Sequence, residues 1–330
     1  MEDAMIVTKT PLRLTLGGGG TDLPSFYSRY GGLVVTSAID KFVYLIVKKM
    51  FEDKIRVSYS KTEIVEDRKT LEHPLVREAL ELLRIDRNLE IVSIAEVPSN
   101  TGLGSSGSFT VGLLHALHVY KGDSIIKETL ADEACKIQIE VLKEPEGKQD
   151  PYIAALGGII AMEIAKDGKV VTKPVAIRDE SLRELQNSLL FFYTGIKRNS
   201  STVLKSQQAA VAKDDSAVVE SMLHIKEIGK KVKSALESGN IEEFGRLQHE
   251  HWQAKKLAAP ASNPQIDKWC KLGIDAGALG EKLLGAGGGG FLMFCCTNGR
   301  DKVRKAMAKE GLREVEFRMN ADGSKAMVNL

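Results

Sequence analysis

Apolar positions in the first third of the chain come in short runs with a period of two. Met5–Thr8 and Leu12–Leu16 flank Pro11. Leu33–Ile39, Phe42–Lys48 and Ile55–Tyr59 are rich in β-branched and aromatic residues, and Leu89–Ala95 alternates, so strands are predicted there. The period changes at Leu71–Leu83, where residues 71, 75, 79, 80, 82 and 83 make a helical stripe. Pro98-Ser99-Asn100-Thr101 then breaks the pattern. Beyond it, Phe109, Leu113, Leu117 and Tyr120 predict a helix from near Ser105 to near Gly122. A second helix follows with Ile126, Leu130, Ala134, Ile137 and Val141 as its stripe, stopped by Pro145 and Gly147. Gly158–Ile164 and Val170–Val175, with Asp167-Gly168 between them, predict a hairpin.

From about residue 177 the character changes. Ser188–Tyr193 is a predicted strand, followed by helical stretches over 202–212, 215–238, 241–258 and 264–277. The chain then returns to a strand (Gly290–Cys296), a helix (Asp301–Glu310) and two short strands. The pattern predicts an α+β protein in two lobes, divided as 1–178 and 179–330, with no repeat of 20–50 residues.

Composition narrows the function classes. Lys+Arg 46 against Asp+Glu 44 gives a formal charge of +2, too balanced for a dedicated nucleic-acid or anionic-membrane binder. Apolar runs stay well under the roughly 18 residues that a membrane span requires. The four cysteines form no CxxC pair, which points to a reducing, cytoplasmic setting. Glycine is enriched, at 30 of 330 residues, and twelve of the thirty fall in three short clusters at 17–20, 102–107 and 285–290. Backbone clustered in that way is built to approach something closely.

The middle cluster, Gly102-Leu103-Gly104-Ser105-Ser106-Gly107, opens a predicted helix. Unobstructed N–H groups at the positive end of a helix suit phosphate oxygens. Ser105 and Ser106 add hydroxyls able to cap the helix, bind a phosphate or ligate Mg²⁺. Walker A is absent, because Gly147-Lys148, Gly168-Lys169 and Gly229-Lys230 are followed by Gln, Val and Lys. Gly102, Gly104 and Gly107 satisfy GxGxxG, but Asp123 leads into a helix rather than the second strand of a dinucleotide fold. No HRD or DFG accompanies the loop, which excludes a protein kinase.

The first cluster, Gly17-Gly18-Gly19-Gly20, is followed by Thr21 and Asp22, polar groups suited to sugar hydroxyls or equally to a turn. The third, Gly285 to Gly290, sits between two strand-like runs and fits a tightly packed hairpin as well as a ligand loop. Glu140 lies near a helix C-terminus, where the macrodipole disfavours an anion unless a metal ion or basic partner offsets it. Asp150 stands just past that helix, in Gly147-Lys148-Gln149-Asp150.

These three clusters in this order, with Glu140 and Asp150 between the second and third, resemble the GHMP kinase superfamily over nearly the whole chain. Pro98–Gly107 is similar to the family's PxxxGLGSS nucleotide loop, Pro11–Asp22 to its first motif and Lys282–Phe291 to its third. Within the superfamily, Pro11-Leu12-Arg13, Gly17–Pro24, Gly31-Gly32, Gly147–Tyr152 and Ser262-Asn263-Pro264 resemble the D-glycero-D-manno-heptose 7-phosphate kinase branch. Galactokinases carry Gly-Glu-His-Thr-Asp where this chain has Gly18-Gly19-Gly20-Thr21-Asp22, which argues against galactose.

The resemblance implies a ribosomal S5 domain 2-like N-terminal lobe, a ferredoxin-like C-terminal lobe, and ATP with Mg²⁺. Pro98, Gly102, Leu103, Gly104, Ser105, Ser106 and Gly107 would hold the nucleotide, with Ser106 and Glu140 on the metal. Asp150 would accept or orient the proton of an anomeric hydroxyl, and Arg13 would steady the transferring group. Gly18, Gly19, Gly20, Thr21, Asp22, Gly288 and Gly289 would line the sugar, and Lys148, Lys197 and Arg198 would meet its distal phosphate. The expected partner is a sugar phosphate, with neither nucleic acid nor membrane and a homodimer left open. The alternatives are a 1-kinase for another sugar of the galactokinase or fucokinase type, and a non-catalytic sugar/ATP sensor. His249 and His251, two apart on a helix, point to different faces and so make a poor metal pair. Trp252, Trp269, Cys295 and Cys296 are expected in the core.

Overall fold

The computed structural model describes residues 5–196 and 200–328. The N-terminal half runs β1 (Ile6–Gly17), α1 (Pro24–Tyr30), β2 (Gly32–Lys49), β3 (Ile55–Ser58), β4 (Thr62–Val65), α2 (Pro74–Leu83), β5 (Leu89–Ala95), α3 (Ser105–Lys121), α4 (Lys127–Cys135), α5 (Gln149–Leu156), β6 (Ile159–Ile164) and β7 (Val170–Pro174). It continues through α6 (Asp179–Ser188), β8 (Leu189–Tyr193), α7 (Ser200–Ala212), α8 (Ser216–Ser238), α9 (Ile241–Ala258), α10 (Pro264–Asp275), β9 (Gly280–Leu283), β10 (Phe291–Cys295), α11 (Arg300–Lys309), β11 (Arg313–Glu314) and β12 (Lys325–Val328).

The fold is α+β, as the hydrophobic pattern predicts. Among the described residues an eight-stranded sheet has the path β12-β1-β2-β5-β3-β4, with β6 on β2 and β7 on β6, and a four-stranded sheet runs β11-β8-β10-β9. Strands predicted in two pieces are continuous. β1 carries Pro11 at a register shift, where a missing N–H costs no ladder bond. β2 spans 18 residues because its first half pairs with β6 and its second with β5. The hairpin around Asp167-Gly168 is present, with Ile164 opposite Val170. The pattern missed α1, entered through Pro24, β4, the helix α5 that carries Asp150, and α6, whose run of charged residues leaves few apolar positions.

A register shift between Pro11 and Arg13 frees the Arg13 N–H to donate to the Leu103 carbonyl (3.0 Å), tying the first motif to the second. α3 packs on β1 and β2, so its N-terminus opens beside Arg13. Ser108 fixes that end, its hydroxyl donating to the Pro11 carbonyl (2.7 Å). Two hydrophobic cores form. The larger joins the first sheet to its helices, and the smaller gathers Phe192, Trp252, Trp269, Leu292, Phe294 and Cys296 around the second. No helix among the described residues is long and apolar enough to cross a membrane.

One element departs from its expected form. Past Cys135 the second predicted helix widens into a π-helical turn over Lys136–Val141. The wider turn shifts the phase of the stripe. Val141, expected inside, is 48 % exposed, and Gln138 is buried.

Candidate active site

A cavity of about 750 Å³ is walled by both halves of the chain, within the range of small-ligand sites. One end is apolar and aromatic, with Val43, Tyr59, His73 and Phe109. His73 stacks on Phe109 (centroids 5.0 Å, 19°) and meets Tyr59 edge-on (4.6 Å, 84°). The middle is backbone: Gly102, Gly104, Ser105 and Ser106 on one side, Gly285 and Ala286 on the other. The far end is polar, with Arg13, Thr15, Asp22, Glu146, Gln149 and Asp150.

Gly104 caps α3 in the left-handed region (φ 78°). A Cβ there would stand 2.9 Å from Arg13 Cγ and 3.1 Å from Asp150 Oδ2, so glycine serves both the turn and the packing. A Cβ on Gly107 would lie 2.6 Å from Asp150 Cβ, so the first turns of α3 and α5 touch directly. In this way the 17-residue helix presents the N–H groups of its first turn beside Asp150.

Arg13 grips Asp150 with both prongs, Nε to Oδ1 at 2.6 Å and Nη2 to Oδ2 at 2.8 Å, while Nη1 donates to the Gly102 carbonyl. Asp22, from the first glycine loop, caps α5. Its Oδ2 accepts from the Gln149 N–H (3.0 Å) and its Oδ1 from the Gly20 N–H (3.1 Å). Burial pushes the Asp22 carboxyl above its usual range, opposed by those N–H groups and reinforced by the charge of Asp150. Gln149 extends the network, its amide donating to the hydroxyls of Thr15 (2.6 Å) and Thr36 (2.9 Å). Glu146 is pushed up to about 8, by burial first and then by Asp150 and Glu144.

Among the expected nucleotide residues, Pro98, Gly102, Gly104, Ser105 and Ser106 line the cavity. Leu103 is buried in the core and contributes its carbonyl to Arg13, and Gly107 packs on Asp150. Among the sugar residues, Gly19, Gly20 and Asp22 line the wall. Thr21 does not. Its hydroxyl is held between the carbonyls of Gly18 and Leu33 (2.8 and 2.9 Å), and Gly18 packs against Leu33.

Lys148 is likewise turned away, donating to the Gly168 carbonyl at 2.6 Å. Gly288 and Gly289 lie against the backbone of Ala261 and Ile196 and act as packing glycines. Lys197 and Arg198 lie outside the described residues. Glu140 is exposed and off the cavity wall; the π-helical turn instead brings Gln138 to Ser106, with its Nε2 2.7 Å from the hydroxyl.

His251, Lys255 and Lys282 also line the cavity; in the sequence His251 reads only as half of a poor metal pair, and neither lysine stands out as a ligand. Lys282 opens the third glycine motif, the one signal that could have flagged it. His249 faces the other way, its Nδ1 2.8 Å from Glu281, as the two-residue spacing predicts. Burial raises the thiols of Cys295 to about 12 and Cys296 to about 11, consistent with inert core cysteines.

Comparison with known proteins adds a family. The model of the GHMP kinases N terminal domain matches residues 74–158, and that of the GHMP kinases C terminal domain matches residues 232–313. The chain is 27 % identical to the D-glycero-alpha-D-manno-heptose 7-phosphate kinase of Campylobacter jejuni, covering 97 % of this chain and 98 % of that protein. A crystal structure of a putative sugar kinase from Campylobacter jejuni superposes with a TM-score of 0.78 at 26 % identity, covering 98 % of both chains. A D-glycero-D-manno-heptose 1-phosphate kinase from Bacteroides thetaiotaomicron superposes at 0.80 with 24 % identity, again over 98 % of both, and shares the fold.

Proposed function

Given that the chain belongs to the GHMP kinase family, we propose that this ATP-dependent sugar kinase phosphorylates the anomeric C1 hydroxyl of a heptose 7-phosphate of the D-glycero-D-manno series. The observation that carries the reading is the convergence of Asp22, Asp150, Arg13 and the α3 N-terminus on one cavity that has an aromatic slot at its other end. The similarity to the Campylobacter jejuni heptose 7-phosphate kinase supports the choice of sugar.

In this reading the adenine lies against Phe109, His73 and Tyr59, and the phosphates lie on the first-turn amides of α3. Asp22 and Gln149 hold sugar hydroxyls. The Asp150 carboxylate takes the proton of the C1 hydroxyl or orients it as the O1–P bond forms, the bond from the γ-phosphorus to the bridging oxygen breaks, and ADP leaves. An anomeric hydroxyl is more acidic than an ordinary alcohol, which suits a carboxylate partner. Arg13 spans Asp150 and the phosphate loop, where it can neutralise charge spreading onto the transferring oxygens.

The oxygen donors near the loop fit Mg²⁺, which commonly takes one or two protein oxygens and completes its shell from phosphates and water. Ser106 would supply a hydroxyl and Glu146 a carboxylate, with Gln138 positioning Ser106. When bound, the ion would neutralise phosphate charge during transfer.

A coupled ADP-release assay with heptose 7-phosphate, free heptose, L-fucose, galactose and N-acetylhexosamines tests the proposal. The highest kcat/KM is expected on heptose 7-phosphate. A higher value on an unphosphorylated hexose overturns the choice of sugar, and binding of ATP and sugar without turnover overturns the reaction.

A further inference from the structure

The cavity wall contributed by the C-terminal half carries three basic side chains that the reaction above leaves without a task. His251 and Lys255 sit one turn apart on α9, and Lys282 lies on β9, which packs against that helix. Lys282 is 2 % exposed, and its Nζ donates to the Thr15 carbonyl at 2.9 Å. Lys255 Nζ donates to the Gly285 carbonyl. His251 is 1 % exposed, and among the described residues neither ring nitrogen has a hydrogen-bond partner.

Among the described residues none of the three meets a carboxylate at ion-pair distance; the Asp150 carboxylate is taken up by Arg13. Burying ammonium groups without an anion is costly. Burial, reinforced by the neighbouring cations, holds Lys255 down to about 7 and keeps Lys282 and His251 well below their ordinary values. Such a cluster is complete only when an anion reaches it.

The cluster has a direction. Thr15, which holds Lys282, also accepts from Gln149, and the Gln149 N–H binds Asp22. Lys282 therefore adjoins the sugar end of the cavity, and Lys255, held on the Gly285 carbonyl, extends the cluster to the segment that packs on Gly102. The nucleotide phosphates already have the α3 N-terminus and Arg13. A phosphate monoester carries about −1.5 to −2 charges and three acceptor oxygens at neutral pH, and its arrival would restore the protonation that burial takes from the two lysines.

We propose that Lys255 and Lys282, backed by the buried ring of His251, form a second anion subsite beside the nucleotide phosphate loop that takes the phosphate monoester of the acceptor sugar. The subsite rests on the kinase reading and gives it a specificity device. Of the cations expected from the sequence, Lys148 is committed to the Gly168 carbonyl and Lys197 and Arg198 lie outside the described residues; this assignment brings α9 and β9 into the recognition.

The test compares Lys255→Met and Lys282→Met with the parent enzyme on heptose 7-phosphate and on free heptose. Each variant is expected to lower the ratio of kcat/KM for phosphorylated over free sugar by roughly 10–100-fold, the worth of one charge-assisted hydrogen bond. An equal loss on both acceptors would assign the cluster to the transferred phosphoryl group and overturn the subsite, as would an unchanged ratio.

A binding arm works without turnover: calorimetry of heptose 7-phosphate against ADP-saturated enzyme, with free heptose as control. Tighter binding of the phosphorylated sugar, lost in Lys255→Met, upholds the subsite even if the kinase reading fails. Equal binding of the two sugars overturns it. Lys255 is the half-buried member of the trio, so its variant carries the test should Lys282→Met not fold.

Discussion

Arg13 and Asp150, 137 positions apart in the chain, meet as a bidentate ion pair with contacts of 2.6 and 2.8 Å. The pair holds the carboxylate of Asp150 in one orientation at the mouth of the α3 N-terminus, and the third guanidinium nitrogen is anchored on the Gly102 carbonyl. Two side chains that catalysis would use separately are thus mutually positioned before a ligand enters. Asp150→Asn removes the charge while keeping the shape. It is expected to leave nucleotide binding close to that of the parent, to lower thermal stability because the buried Arg13 charge loses its carboxylate partner, and to cut turnover roughly 10²–10⁴-fold, the usual worth of a positioned acid or base. Unchanged turnover would remove Asp150 from the chemistry.

Gly147 and Asp22 give a second prediction. A Cβ on Gly147 would fall on Asp22 Oδ2, the atom that accepts from the Gln149 N–H. Gly147→Ala therefore displaces the carboxylate from its cap on α5. The expected loss is about 1–3 kcal/mol of stability, as for other overpacked sites, together with a raised KM for the sugar and a KM for ATP close to that of the parent. Denaturant unfolding and steady-state kinetics check both parts, and an unaltered sugar KM would mean that Asp22 does not hold the acceptor.

Much of this frame was legible in the sequence, for a physical reason. Phosphate loops and close backbone contacts need glycine, and glycine clusters stand out against any background, so Gly102–Gly107 and its place at the start of α3 could be read directly. The same signal overreached at Gly288 and Gly289, because a glycine needed for packing on Ala261 or Ile196 looks the same in sequence as one facing a ligand. Thr21 and Lys148 misled in a similar way, since a hydroxyl or ammonium group beside a glycine loop can equally well tie down a turn or a hairpin carbonyl. His251 drew notice only beside His249, and Lys255 none, because on an amphipathic helix both match neighbours that face solvent. Their place on the cavity wall comes from the approach of β9 and β1, a tertiary relation that no local pattern encodes.

The π-helical turn leads to a third prediction. It places Gln138 on Ser106 and leaves Glu140 exposed and away from the cavity. Glu140→Gln is therefore expected to change kcat and the magnesium concentration for half-maximal rate by no more than about threefold, in keeping with a surface substitution. Gln138→Glu should shift the magnesium dependence instead, because it places a carboxylate beside the hydroxyl. A tenfold or greater loss in Glu140→Gln would restore that residue to the metal site.

The last prediction concerns pH and follows from Lys255. Burial brings its ammonium from the ordinary 10.5 down to about 7. The charged groups around it are Arg13 from β1, paired with Asp150, Lys282 from β9, and His251 on its own helix. A lysine whose folded pKa is depressed binds fewer protons folded than unfolded between the two values. Its burial therefore destabilises the fold fully below pH 7, and that cost is relieved as pH climbs from 7 towards 10.5. Lys255→Met removes the titrating group. The variant is expected to melt higher than the parent at pH 6, with the difference shrinking steadily through pH 8 and 9. Binding runs the other way: free enzyme loses this positive charge above about pH 7, so the KM for a phosphorylated acceptor should rise there, while that for the unphosphorylated sugar stays flat. Melting curves and KM profiles across pH 6–9 measure both slopes. Parallel melting profiles for parent and variant would mean that Lys255 titrates as an ordinary surface lysine, and the electrostatic case for the anion subsite would lose this support.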